Sequence, residues 1–235
     1  MTTLLVAAGC GEAQVAEKHT RDVIDDLVAR EYGSASSRYR MFESEVLSVA
    51  AAPTWRRALE HIDATVREWA VDALSRIDMD EDLALVKGRL NDPVRGVRTA
   101  AVSGLIRMDH AAAIEEFTVL LGSGASEQVT LAASGFAELE HHPAAALIVE
   151  RFQDDELPES TRAALTQPLA ALGGAVVVSP LVEVALDSGN GAELRRLAAE
   201  AAFAAEADGV ADQLRRLLDA DDEYVRALAE TMLTE

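Results

Sequence analysis

The chain has little cysteine, lysine or aromatic side chain. Cys10 is the only cysteine among 235 residues, so no disulfide can form within the chain. Lysine occurs only at Lys18 and Lys87, and aromatic residues make up 4% of the sequence. A core would therefore be built from small and aliphatic side chains, and the absence of alternating β-branched runs argues against a sheet. A lone cysteine is compatible with a reducing compartment, and we expect a cytoplasmic protein.

Sequence motifs of known catalytic and metal sites are also missing. The chain has no nucleophile elbow, phosphate-binding loop, dinucleotide fingerprint or zinc-binding cysteine set. The adjacent His141 and His142 fall in a predicted turn without further ligands for a metal. The acidic clusters at residues 78–82 and 219–223 lack the ligand spacing and central glycine of a calcium loop. We therefore predict no catalytic residue, no metal and no cofactor.

Acidic residues strongly outnumber basic ones. The formal net charge is −20 and the isoelectric point is about 4.5. Phosphate contacts need a basic surface, so we expect neither nucleic-acid binding nor attachment to anionic membranes. Two interpretations of the acidity stay open. It is either an ordinary solvated acidic surface, or the composition of a salt-adapted organism in which arginine replaces lysine.

An apolar helix pattern returns about every 31 to 33 residues. Its first position is occupied by Val66, Val97, Gln128, Thr161, Leu194 and Val225. Four residues further on, the same phase gives Ala70, Ala101, Ala132, Leu165, Ala198 and Ala229. Positions four apart share one helix face, so these side chains form a buried stripe. Self-similarity at this period is typical of a solenoid, in which neighbouring units complete one core.

A second apolar helix precedes each later copy, so each unit is predicted to be a helical hairpin. The resulting fold class is all-α: a right-handed α-α superhelix, or α-solenoid, of about six hairpins. Residues 1–52 depart from the repeat and are interpreted as an N-terminal helical cap. Residues 53–235 are predicted to form a single continuous array.

The segment Asp92–Leu105 reads D-P-x-x-x-V-R-x-x-A-x-x-x-L, which resembles the HEAT-like repeat. The short period is similar to the variant named after the phycobilisome, or bilin, lyases. The resemblance covers roughly residues 53–235 and implies architecture more than function. It implies one alternative function, an enzyme, lyase subunit or chaperone acting on a tetrapyrrole-carrying protein. A DNA-lesion glycosylase, which some HEAT-like folds support, is disfavoured by the net charge.

Arginine recurs directly after the first position of the repeat. The column reads Arg67, Arg98, Val129, Arg162, Arg195 and Arg226. One interpretation is a row of cations that captures an acidic partner along the inner groove. The other is a structural ladder in which each arginine binds an aspartate or a carbonyl at a repeat turn, with Asp63, Asp92 and Asp221 nearby.

Cations and aromatic residues also gather around the start of the array, which contains both tryptophans. Arginine and tryptophan are enriched where binding energy concentrates. The candidate partner-binding residues are Arg38, Arg40, Trp55, Arg56, Arg57, Arg67, Trp69 and Arg98. The alternative is simple packing of the cap, with Trp55 and Phe42 buried.

Taken together, these features favour a non-catalytic scaffold that binds a protein or peptide in the concave groove of the array. The last repeat carries no added cap helix, so we expect its outer face to be a candidate surface for self-association. The N-terminal run that ends at Cys10 resembles the end of a bacterial lipoprotein signal. It lacks a basic region and a long apolar run, so we favour an apolar segment that packs on the first helix.

A melting experiment distinguishes the two interpretations of the acidity. For an ordinary acidic surface we expect only a small rise in Tm between about 0.1 M and about 1 M KCl, because salt merely screens repulsion between exposed charges. Circular dichroism at the helical minimum measures it. A protein that loses its helical structure at the lower salt concentration would show salt adaptation instead.

Overall fold

The computed structural model describes residues 2–205 and 207–234, and the side chains within those ranges from Gly11 onward. The side chain of Cys10, on which the lipoprotein-like interpretation depends, lies outside this description. Helices joined by short turns make up the described residues, and none of those residues lies in a strand. The predicted all-α class is confirmed.

The chain divides into two compact units, Met1–Ala113 and Ile114–Glu235. The helices that begin in the first unit are α1 (Thr2–Val28), α2 (Tyr32–Met41), α3 (Glu43–Val46), α4 (Ala52–Ala58), α5 (Ala64–Ile77), α6 (Leu83–Gly88), α7 (Arg95–Met108) and α8 (His110–Leu121). Those of the second unit are α9 (Ser126–Glu138), α10 (Ala145–Phe152), α11 (Glu159–Leu172), α12 (Ala175–Leu186), α13 (Ala192–Ala204), α14 (Ala211–Arg215) and α15 (Glu223–Met232). The division into a cap at residues 1–52 and an array at 53–235 stays a prediction.

Helical hairpins stack within each unit. In the first unit, α4 pairs with α5 and α6 pairs with α7, while α5 packs alongside α7. The long helix α1 contacts α2, α3 and α4. In the second unit, α11 packs between α9 and α13, and α15 packs on α13. The helices α10, α12 and α14 form the other layer of that unit. The predicted stacking of helical hairpins is confirmed within each unit.

Aspartates fix where several of these helices begin. Asp63 accepts a hydrogen bond from the Thr65 amide at 2.8 Å at the start of α5. Asp222 accepts bonds from the Tyr224 and Val225 amides at 2.9 and 3.2 Å at the start of α15. A carboxylate at this position satisfies amides that have no partner inside the helix and complements the helix dipole. Asp222 lies in the acidic cluster at residues 219–223, so this cluster caps a helix, whereas Asp82 at the start of α6 makes no such bond.

The repeat columns form the core. Val66, Val97 and Val225 are fully buried, as are Ala70 and Ala101 four residues after the first two. The next position in phase is buried too, with Leu74, Leu105, Phe136, Leu169 and Ala202. The spacing of four residues puts one apolar stripe of each second helix against its neighbours, as the sequence predicts.

Gly104 and Gly135, each directly before a residue of the buried stripe, allow close helix contact. A methyl group added at Gly104 would come 3.2 Å from side-chain carbons of both Ser75 and Val86. At Gly135 it would come 2.6 Å from the ring of Phe117. Phe117 and Phe136 meet edge to face with ring centres 5.7 Å apart, so the Phe117 ring contacts both Gly135 and Phe136. A methyl group at Gly135 would therefore require the Phe117 ring to move, whereas one at Gly104 would require a smaller shift of Ser75 and Val86.

The substitution Gly135→Ala should lower the free energy of unfolding by about 1–2 kcal/mol, because the cost of overpacking against Phe117 exceeds the gain in helix propensity. Gly88→Ala is the matched control. It also lies in a helix, but nothing surrounds its added methyl group within 4 Å. The control should be neutral or stabilising. Urea unfolding measures both, and equal effects of the two substitutions would contradict the packing argument.

Candidate functional site

The arginine column binds the backbone of the repeat turns. Arg67 donates from Nη1 to the carbonyls of His61 and Ile62 at 2.9 and 3.1 Å. Arg98 repeats this pattern with the carbonyls of Asp92 and Pro93 at 2.8 and 3.1 Å. The other arginines of the column bind carbonyls at helix ends or turns: Arg162 that of Phe152 at 2.7 Å, Arg195 that of Ala185 at 3.0 Å, and Arg226 that of Ala220 at 2.6 Å. The column therefore acts as a structural ladder, the second interpretation of the sequence pattern.

Three members of the column also connect one repeat to the next. Arg67 forms a two-pronged pair with Asp92, with both N···O distances at 2.8 Å. Arg195 pairs with Asp221, and Arg162 donates to Asn190 at 3.2 Å. The Arg67 guanidinium, by hydrogen bonding, holds the pKa of the Asp92 carboxyl below its ordinary value. Paired charges of this kind tolerate burial because each satisfies the other.

The predicted residues on α4 occupy different environments. Trp55 is completely buried, and its indole N–H donates to the Val46 carbonyl at 2.7 Å. Arg56 forms ion pairs with Asp82 and Glu81. Arg57 is exposed and lies 3.5 Å from Glu17. Trp55 therefore belongs to the packing between α4 and the N-terminal helices, as the packing alternative expects, whereas Phe42 is only half-buried.

On α2, Arg38 and Arg40 are both exposed, and Arg38 pairs with Asp26 at 2.6 Å. Trp69 lies on α5, where it is half-buried. The eight predicted residues are therefore distributed over several helices. Their role in binding a partner stays a prediction, as does self-association through the last repeat.

A pocket of about 440 Å³ opens on the first unit, between the exposed faces of α5 and α7. We refer to it as the Trp69 pocket. It is lined by Tyr39, Glu68, Trp69, Asp72, Ala100, Ser103 and Arg107. Of the eight candidate partner-binding residues predicted from the sequence, Trp69 is the one that lines this pocket.

Tyr39 contacts Trp69 beside the pocket, and Arg76 in turn contacts Tyr39. The Tyr39 ring meets the Trp69 ring edge to face, with centres 5.3 Å apart. The Arg76 guanidinium lies 5.6 Å from the centre of the Tyr39 ring and donates to the Tyr39 hydroxyl at 3.3 Å. Burial, together with the charge of Asp72, raises the pKa of Tyr39 to about 12. Tyr39 therefore stays neutral at physiological pH and holds the Trp69 ring in place.

The two acidic residues of the pocket differ in their partners. Asp72 lies 3.4 Å from Arg107 and 3.9 Å from Arg76, so its charge is compensated. Glu68 is exposed, and no basic side chain in the described part of the chain forms an ion pair with it. Its carboxylate lies against the start of α7, where a methyl group at Gly96 would come 2.9 Å from Oε2. Among the described residues, the pocket thus presents one carboxylate without an ion-pair partner.

The residues that line the pocket follow the period of the repeat in the sequence. Glu68, Trp69 and Asp72 are spaced along one face of α5, and Ala100 and Ser103 follow Trp69 and Asp72 one repeat later. These positions recur with the same period of 31 residues as the buried Val66 and Val97. Because exposed positions show no apolar periodicity, only the pairing of α5 with α7 identifies these residues as neighbours.

Within residues 2–205 and 207–234, no cluster of three or more His, Cys, Asp or Glu side chains is placed to hold a metal ion. His142 instead lies with Nδ1 2.6 Å from the Leu172 carbonyl. Among these residues, no helix combines the length and the apolar character that crossing a bilayer requires.

Part of the chain matches a known repeat family. Residues 43–106 match the family described as HEAT repeats. No curated protein matches the chain significantly. Among solved structures, a designed armadillo repeat protein is 19% identical, with a TM-score of 0.42, covering 78% of this chain and 98% of the other. An engineered protein from the Northeast Structural Genomics Consortium is 16% identical, with a TM-score of 0.44, covering 78% and 95%. These two likenesses carry no conclusion about function.

Asp92→Asn should lower the free energy of unfolding at pH 7 by about 2–4 kcal/mol, because it leaves the buried Arg67 charge without its carboxylate. The pKa of Asp92 is lower in the folded than in the unfolded protein. The pair therefore stabilises fully above about pH 4, and its contribution is lost as the pH falls through the folded pKa.

Urea unfolding of wild type and variant between neutral and acidic pH measures this difference. The exposed Asp80 provides the control, since Asp80→Asn should change stability little at any pH. A difference between wild type and Asp92→Asn that stays constant down to the lowest pH would argue against the pair.

Proposed function

We propose that this HEAT-like repeat protein is a non-catalytic scaffold that binds a polypeptide segment on the exposed faces of α5 and α7, with the Trp69 pocket at the centre of the contact. The observation that carries the proposal is a half-buried tryptophan that lines a pocket of about 440 Å³. A concave, partly aromatic pocket with a few polar groups is the usual form of a binding site. Tryptophan is also enriched among residues that dominate binding energy.

The helices that carry the pocket are rigidly packed. The faces of α5 and α7 that point away from it bury Val66, Ala70, Val97 and Ala101 completely. The Arg67–Asp92 pair further connects α5 to the turn before α7. Because the platform is already ordered, a ligand would lose little affinity to rearrangement of the protein. This supports binding rather than a conformational switch.

The tetrapyrrole alternative has only the short repeat period in its favour. Past Trp69 the array has few aromatic side chains with which to face such a ring system. The net charge of −20 likewise argues against a nucleic-acid partner. A cytoplasmic location, which the single cysteine suggested, fits a scaffold but stays a prediction.

Filling the pocket should abolish peptide binding without unfolding the protein. A library of random twelve-residue peptides displayed on phage is selected against the wild-type chain. We expect the enriched peptides to lose at least about tenfold in affinity for Ala100→Trp, because the new side chain occupies the pocket. Biolayer interferometry measures the affinities.

Ala146→Trp is the matched control, because Ala146 is exposed on α10 in the second unit. It should bind the selected peptides as the wild type does. Circular dichroism verifies that both variants remain helical. If no peptide is enriched, or if the enriched peptides bind Ala100→Trp normally, the proposed function is wrong.

A further inference from the structure

We infer that the Trp69 pocket takes an arginine side chain from its polypeptide partner, with the guanidinium stacked on the Trp69 indole and paired with the Glu68 carboxylate. The inference rests on the proposed function and adds the chemistry of the residue that is recognised. It follows from three features of the pocket: a carboxylate without an ion-pair partner, a half-buried indole, and neighbours whose charges are already paired.

Glu68 supplies the charge. Its carboxylate is exposed, lines the pocket and has no ion-pair partner in the described part of the chain. The basic residue that lines the same pocket, Arg107, is bonded to Ser75 and lies 3.4 Å from Asp72. Arg107 therefore cannot turn to Glu68 without breaking these contacts. An incoming cation would find a free carboxylate at one end of the pocket and a compensated arginine at the other.

Trp69 supplies the surface. Its ring is half-buried and held edge to face by Tyr39 at 5.3 Å, so its orientation is set before a ligand arrives. A cation over the face of an indole is attracted by the ring quadrupole, and tryptophan is the strongest of the aromatic residues in this respect. The negative charge of the whole chain, −20, adds a long-range attraction for basic segments.

The geometry favours arginine over lysine. A guanidinium is planar, stacks on an aromatic ring and pairs with a carboxylate through two parallel N–H groups, whereas an ammonium does neither. The site is also local. At the position of Trp69, the later repeats carry Ala100, Leu131, Ala164, Leu197 and Leu228, which offer no aromatic face. One arginine would therefore be recognised at this position of the array.

The test uses the full-length chain and three short peptides that differ at one residue. Each has a central arginine, lysine or citrulline flanked by glycines, with blocked termini. Citrulline keeps the shape of arginine but carries no charge. Binding is followed by the NMR signal of the Trp69 indole N–H. Trp55→Phe removes the only other tryptophan signal and so assigns it.

The arginine peptide should shift the Trp69 signal in a saturable way, with the lysine peptide at least about fivefold weaker and the citrulline peptide at least about tenfold weaker. In Glu68→Gln, the arginine peptide should bind no better than citrulline does to the wild type. Glu12→Gln removes the charge of another exposed glutamate and should leave binding unchanged.

Equal binding of arginine and citrulline peptides, an unaffected Glu68→Gln variant, or no shift with the arginine peptide would each overturn the inference. The peptides enriched from the random library separate this failure from failure of the proposed function. If they bind through the pocket but lack arginine, the scaffold stands and the inference about its ligand falls. If they carry arginine and lose affinity for Glu68→Gln, both stand.

Discussion

Close contact between helices is the constraint on which the rest of the structure depends. At Gly104 and Gly135 there is no room for a methyl group without displacement of Ser75, Val86 or Phe117. Dispersion and the hydrophobic effect reward such contact, and both fall off steeply when a gap opens. A chain with few aromatic residues can form a stable core in this way, because many small side chains bring the backbones together instead of a few large ones filling the space.

Arginine side chains satisfy carbonyls at the helix ends and turns of the repeat. Helix ends leave carbonyls without partners, and a stack of hairpins places such ends at every turn. The planar guanidinium of Arg67 satisfies two carbonyls and a carboxylate at once. Lysine has one nitrogen and would satisfy fewer of these groups in fixed geometry. This is a physical reason for a repeat that keeps arginine in phase while lysine is almost absent from the chain.

The Trp69 pocket forms where the N-terminal segment meets α5. α5 belongs to the first hairpin of the array and contacts α1 and α4 as well as α7. Tyr39 reaches this surface from the N-terminal segment, so the aromatic pair forms only there. The buried stripe is uniform because every hairpin must pack on its neighbour, whereas the exposed face is free to vary. Function in a repeat protein is therefore expected on that face.

Much of the fold was determined by the sequence alone. The period of about 31 to 33 residues, the valine and alanine columns and the recurring arginine predicted stacked hairpins with a defined buried stripe, because helical spacing decides which residues share a face. Only the tertiary structure decided between the roles of the two tryptophans and of the acidic residues. Trp55 is buried and Trp69 is half-exposed, while Asp92 is paired within the protein and Glu68 is not. Both distinctions depend on which helix packs against which, and contacts between residues far apart in sequence are not encoded in local periodicity.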